Sequence, residues 1–155
     1  MHRWCLLTRC TARAGIEFLK ADMDGDAARP LRVQAVRLLP SDALAAGLSD
    51  AHVAGIAYDA RGDILHLLFD RAQPAVLRTF HLGSGKLIGD WQLPSAPSSA
   101  FQIWSNGVAP VTWSGLALSP DGGALYALRA SPPQLWRFTR RADGTLTCGE
   151  EPIMT

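Results

Sequence analysis

Residues 112–138 read TWSGLALSPDGGALYALRASPPQLWRF. The run Gly115 to Ser119 is small and apolar, Ser119-Pro120-Asp121-Gly122 carries turn chemistry, and Ala124 to Leu128 is apolar again. Proline sets φ at the first central position of a turn, aspartate bonds its own backbone, and glycine accepts positive φ. Two short strands joined by a tight turn are the expected result.

The same pattern occurs upstream at 54–80, AGIAYDARGDILHLLFDRAQPAVLRTF. Gly55, Ile56 and Ala57 match Gly115, Leu116 and Ala117, Gly62 matches Gly122, and Leu65 and Leu68 fall on Leu125 and Leu128. The offset is 60 residues. It slips to 58 and then 59 where Leu77 and Phe80 face Leu135 and Phe138, and Gly85 and Leu87 face Gly144 and Leu146. Slips of that size are what insertions and deletions in loops produce. Each unit holds four strand candidates: Val53 to Tyr58, Asp63 to Phe69, Ala75 to Leu82 and Lys86 to Leu93, then Trp113 to Leu118, Ala124 to Arg129, Gln134 to Thr139 and Thr145 to Cys148. Four strands repeating at this spacing are the signature of propeller blades.

Three further strand candidates precede Leu39: Arg3 to Arg9, Gly15 to Met23 and Leu31 to Leu38, with Asp24-Gly25-Asp26 as a turn between the last two. The fold class expected is therefore all-β, a partial β-propeller of about two and a half to three four-stranded antiparallel blades. Residues 1–155 make a single domain, with the rear strands of one blade at 1–40, a second blade at 50–94, an insertion loop at 95–112 and a third blade at 113–148. The segment Ser41 to Ala46 has serine and aspartate at its start and is expected to form a short turn. Ile56, Leu65, Leu67, Phe80, Leu116, Leu125, Trp136 and Phe138 are the expected core. A closed propeller usually needs four or more blades, so the remainder is expected from self-association or from further blades.

At 48% hydrophobic and 19% charged, with 10 prolines and 14 glycines, the chain is globular rather than disordered. Its 15 basic and 14 acidic residues leave a net charge of +1 and form no block, which argues against a nucleic acid or an anionic membrane as partner. Cys5, Cys10 and Cys148 form no CxxC pair, so no zinc site is expected. The apolar run Trp4 to Leu7 is too short for a signal peptide, and Arg9 and Arg13 interrupt the residues beyond it. No stretch is long enough to span a bilayer, and the default compartment is the cytoplasm.

GIAYDARGDILHLLFDRAQPAVLRTF and WSGLALSPDGGALYALRASPPQLWRF resemble blades of the SdiA-regulated and phytase/esterase-like propeller proteins. These sit in a wider group with the calcium-dependent phosphotriesterase-like, gluconolactonase-like and NHL-type propellers. The phrases GLALSPDGGALYAL and SPPQLWRF carry the resemblance, which covers roughly residues 50 to 147. It implies a propeller fold and, in many relatives, a channel-facing glutamate just before the GLA phrase that helps to hold metal or substrate. Here those positions are Ala54 and Ser114. Calcium takes six to eight oxygen ligands, several of them anionic, and neither position supplies one.

Other candidates divide between structure and chemistry. The acidic segment Asp22 to Asp26 lacks an EF-hand's glycine and glutamate, having Ala27 and Val33 there, and reads as a solvated turn. Asp59, Asp63, Asp121 and Asp143 also read as turn residues. Asp70 ends a strand, is followed by Arg71, and has Arg129 as its partner in the next blade. If both strand ends lie at one propeller face, they either hold an anionic ligand or pair with each other. His66 alternates with leucines and is expected to be a packed or hydrogen-bonded core residue, whereas His52 precedes a strand and lies near a channel mouth. Trp91, Trp113 and Trp136 sit at blade positions that fill the wedge between neighbours. Trp104 lies in the long insertion Ser95 to Pro110, where FQIW either caps the inter-blade core or contacts a partner.

Two function classes remain. One is a non-enzymatic propeller module that binds a protein or small ligand through loops and blade ends, with Asp70, Arg71, Arg129, Trp104 and His52 as its candidate site, no metal and no cofactor. The other is a calcium-dependent ester or phosphoester hydrolase, which needs several channel carboxylates where this chain offers Asp70 and Asp50. The absent glutamates favour the first.

Overall fold

The computed structural model describes residues 4–11, 15–22 and 33–40 as backbone strands, together with residues 44–48, 52–70, 75–94, 113–130, 133–141, 144–149 and 152–153. Eleven strands organise them. A three-stranded antiparallel meander comprises β1 (Trp4–Thr11), β2 (Gly15–Asp22) and β3 (Val33–Pro40). A four-stranded meander follows with β4 (His52–Asp59), β5 (Ile64–Asp70), β6 (Val76–His81) and β7 (Lys86–Gln92), and another with β8 (Trp113–Leu118), β9 (Ala124–Ala130), β10 (Pro133–Arg140) and β11 (Leu146–Cys148); these two four-stranded meanders are termed the first and second blade. All neighbouring strands are antiparallel and consecutive in sequence. This is the expected all-β, blade-type architecture of a partial propeller.

The turn chemistry closes the hairpins as the residues dictate. Ser119 Oγ donates to Asp121 Oδ1 at 2.5 Å, Gly123 N donates to the same oxygen at 3.0 Å, and Gly122 takes φ of +74°. In the equivalent first-blade turn it is Asp63 that has positive φ, at +52°. Tyr58 Oη donates to Asp63 Oδ1 at 2.6 Å and Gly83 N donates to its Oδ2 at 2.8 Å, which hold that conformation.

Alternation along β5 divides its buried side chains between two cores. Leu65, Leu67 and Phe69 join Leu44, Phe80 and Leu82 on one face. Leu68, with Leu77 from β6, joins Trp113, Leu125, Ala127, Trp136, Phe138 and Leu146 from the other sheet. The two four-stranded sheets thus pack face to face. Their innermost strands meet at Gly55, where an added Cβ would stand 2.9 Å from Leu116 Cβ. The Trp113 and Trp136 rings fill the wedge at 6.4 Å and 54°. Of the expected core, Leu65, Leu67, Phe80, Leu125, Trp136 and Phe138 are buried. Ile56 and Leu116 are only partly so, because each lies on a first strand with no further strand beyond it in its sheet.

Residues 44–48 make a turn, closed by Leu48 N donating to Ala45 O at 2.8 Å, and Leu44 plugs the far side of the first blade. Residues 41–43 of the expected turn lie outside the described residues. No helix among the described residues is long and apolar enough to cross a membrane.

Candidate functional site

Antiparallel register brings the chemistry-bearing residues to the two ends of the packed sheets. At one end, Asp59 closes β4 and Arg140 closes β10, and their side chains form an ion pair across the blade interface. Arg61 N donates to Asp59 Oδ1 at 3.0 Å, and the Arg61 guanidinium reaches Asp121 O at 2.9 Å and Pro120 O at 3.2 Å. Burial alone would raise the Asp59 carboxyl, but the Arg140 hydrogen bond, the Arg61 N–H and the two nearby positive charges leave it below its ordinary value. Asp59 was expected to be a solvated turn residue. It is buried instead, because the second blade places an arginine over it. This end is a structural clasp in which Asp59, Arg61 and Arg140 each bond across or along the blade interface.

The opposite end carries His52, Asp70, Trp113, Arg129 and Gln134. His52 pairs in register with Asp70, and Arg129 pairs with Trp113 on one side and Gln134 on the other. Alternation turns Asp70, with His66 and Leu68, toward the second blade, and turns Arg129, with Leu125 and Ala127, toward the first. Asp70 and Arg129 are therefore presented at the same end of the same interface. They are not structural equivalents, however. Tyr58 pairs with Leu65 and Leu118 with Leu125, so Phe69 is the counterpart of Arg129, and Asp70 falls on Ala130. Nor do the two form an ion pair.

Arg129 is 1% exposed. Its Nη1 donates to Gln134 Oε1 at 2.9 Å, and Trp136 Nε1 donates to the same oxygen at 3.3 Å. Its Cζ lies 5.7 Å from the centre of the Trp113 ring. Nε and Nη2 are buried with no hydrogen-bond partner. Burial pushes the guanidinium below its ordinary value. Gln134 escaped the sequence reading. Its signal was its place two residues before Trp136 and four before Phe138, which puts all three on the interface face of β10. His52 is exposed at the rim of this end, while Arg71, Trp104 and Asp50 lie outside the described residues.

His66 is fully buried and its Nδ1 shares a 2.8 Å hydrogen bond with Thr79 Oγ1, while Nε2 has no partner. Burial, with the Arg140 charge adding to it and the Asp59 charge opposing, lowers its pKa to about 4. It is a neutral core residue at pH 7. Ala54 and Ser114 stand just before Gly55 and Gly115, and among the described residues no three His, Cys, Asp or Glu side chains come together to hold a metal.

No family model and no curated protein sequence matches this chain. Solved structures do resemble it in fold. A protein of unknown function from Desulfotomaculum acetoxidans has a TM-score of 0.55 at 14% identity, covering 96% of this chain and 41% of that one. The Cps50 (Swd1) β-propeller domain of Myceliophteria thermophila has 0.49 at 12%, covering 87% and 40%. A candidate 6-phosphogluconolactonase from Bacteroides uniformis has 0.46 at 14%, covering 92% and 38%. The chain thus spans about two fifths of the length of each, and at such identities the likeness concerns the fold alone.

Proposed function

We propose that the chain is a non-enzymatic propeller-type module, of the SdiA-regulated kind rather than a hydrolase, that binds a small ligand or a protein at the blade end carrying His52, Asp70 and Arg129. One observation carries this. Arg129 is held in place by Gln134 and Trp113 yet keeps two buried N–H groups without partners. Buried donors are nearly always satisfied in folded proteins, and an exception asks for an explanation such as a water or an ion; a ligand oxygen meets the same need. The alternative, calcium-dependent ester hydrolysis, lacks its carboxylates at Ala54 and Ser114.

The test is a panel of anionic, neutral and cationic small molecules, monitored through the indole N–H resonances of Trp113 and Trp136. A saturable shift confined to these two residues is expected. Calcium retained through purification, together with turnover of p-nitrophenyl butyrate that a chelator abolishes, would replace this reading with the hydrolase.

A further inference from the structure

Arg78 and Arg129 are both buried arginines, and they are satisfied very differently. Arg78 Nη1 donates to Leu44 O at 2.8 Å, Nη2 donates to Ala46 O at 2.6 Å and to Asp90 Oδ2 at 3.0 Å, and Nε donates to Asp90 Oδ2 at 3.2 Å. Every nitrogen is used and a carboxylate balances the charge. Among the described residues Arg129 has no such carboxylate partner. Only its Nη1 is engaged, by an uncharged amide.

The two idle nitrogens are not an arbitrary pair. Nε–H and one Nη2–H run parallel along a single edge of the guanidinium, the fork that matches the two oxygens of a planar oxyanion. Gln134 occupies the opposite corner, and the Trp113 ring lies 5.7 Å from Cζ, which together fix the plane and direction of that fork.

Building on the binding face proposed above, we infer that Arg129 is the receptor for the carboxylate of a small molecule, which sits bidentately on the Nε–H and Nη2–H edge. Charge selects the class. One guanidinium, unpaired with a carboxylate among the described residues, neutralises one negative charge, and Asp70, buried at the same end, disfavours any charge beyond that one. A phosphate dianion would bring uncompensated charge into a desolvated space, where it is costly. Burial selects the size, since a fork on a residue only 1% exposed admits a compact acid and not a macromolecular surface. No bond is made or broken; the event is recognition.

The experiment uses the full chain and titrates butyrate and benzoate against butyramide and benzamide at constant ionic strength, with inorganic phosphate as a separate arm. Melting temperature and the Trp113 and Trp136 indole resonances are the readouts. The acids are expected to bind saturably and the matched amides not. Arg129→Lys, which keeps the charge but loses the fork, should weaken acid binding at least about tenfold. Arg129→Leu should abolish it while the free variant melts no lower than the wild type, which separates lost binding from lost folding. Asp70→Asn should bind the acids at least as tightly as the wild type.

Acid binding unchanged in Arg129→Lys would overturn the inference, and so would phosphate binding more tightly than the acids. If Asp70→Asn alone gained acid binding and melted lower, Asp70 would be the fork's own partner and the receptor role would fall. Amides that bind at Trp113 and Trp136 where acids do not would leave the binding face standing without the carboxylate. A panel of every charge that moves neither resonance would remove both.

Discussion

A guanidinium with two idle buried donors carries a desolvation cost that its remaining contacts must offset. Each unpartnered buried N–H costs about 1–3 kcal/mol, and replacing a buried ionic group by an apolar one of similar volume is often neutral or stabilising by about 1–4 kcal/mol. Arg129→Leu is therefore expected to stabilise the ligand-free chain by about 1 kcal/mol in urea melts. A loss of about 2 kcal/mol or more would show that the Trp113 and Gln134 contacts outweigh the idle donors. His66 makes the pH-dependent counterpart. Its folded pKa of about 4 lies below its ordinary 6.5, so the unfolded chain takes up a proton between those values that the folded chain refuses. Stability from this residue is therefore complete above about pH 6.5 and is lost as pH falls toward 4, by about 3 kcal/mol over the window. His66→Gln, which keeps a polar partner for Thr79, should flatten that slope when urea melts at pH 7, 5 and 4 are compared. Parallel curves for variant and wild type would assign the acid sensitivity elsewhere.

The innermost strands approach so closely at Gly55 that a side chain there has nowhere to go. A Cβ would lie 2.9 Å from both Leu116 Cβ and Leu116 N, and 3.0 Å from the Gly115 carbonyl carbon. Backbone cannot swing aside as a side-chain tip can, so Gly55→Ala should cost about 1–3 kcal/mol, toward the upper end, as the two blades are forced apart. Gly123→Ala is the control. Its Cβ would meet only the Asp121 side chain, no nearer than 3.4 Å, and its stability should stay within about 0.5 kcal/mol of wild type by chemical melting. Gly55 is legible in the sequence through its repeat partner Gly115, although the close contact is made at Gly55 alone, since a Cβ on Gly115 would meet only Leu128 Cβ at 3.9 Å. The hairpin turns declare themselves through local chemistry at Ser119 to Gly122. Strand register is less accessible. Displacing the alignment by one residue puts Asp70, rather than Phe69, opposite Arg129, since a slip of one exchanges the two faces of a strand. Asp59 and Arg140 are unreadable as a pair because they lie 81 residues apart, and only the packing of two sheets brings them together. The fork on Arg129 is equally hidden, for a sequence names an arginine but not which of its nitrogens find partners.

Repetition turns the whole molecule into its own reference. Leu68 and Leu77 form a cross-strand pair in the first blade, and Leu128 and Leu135 form the same pair at the same place in the second. Leu68 and Leu77 are fully buried because the second blade lies on them, whereas Leu128 is 45% exposed and Leu135 partly so. Ile153, whose N–H donates to Leu135 O at 2.8 Å, is 52% exposed beside them. The face of the second blade is thus built to the pattern of a face that, one repeat earlier, is covered by a blade. Burying a leucine side chain is worth about 1.5–3 kcal/mol, and contiguous exposed apolar residues normally mark association. The 155-residue chain on its own is accordingly expected to self-associate as a dimer through this face, using a second copy in place of the next blade. Sedimentation velocity from about 1 to 100 μM should show a concentration-dependent shift, governed by mass action. Leu128→Lys should return the chain to a monomer whose melting temperature no longer varies with concentration, because a charge there cannot be desolvated against an apolar sheet. A wild-type chain that stays monomeric and melts cooperatively across that range would show that Ile153 and its neighbours along β10 shield this face well enough for it to need no partner.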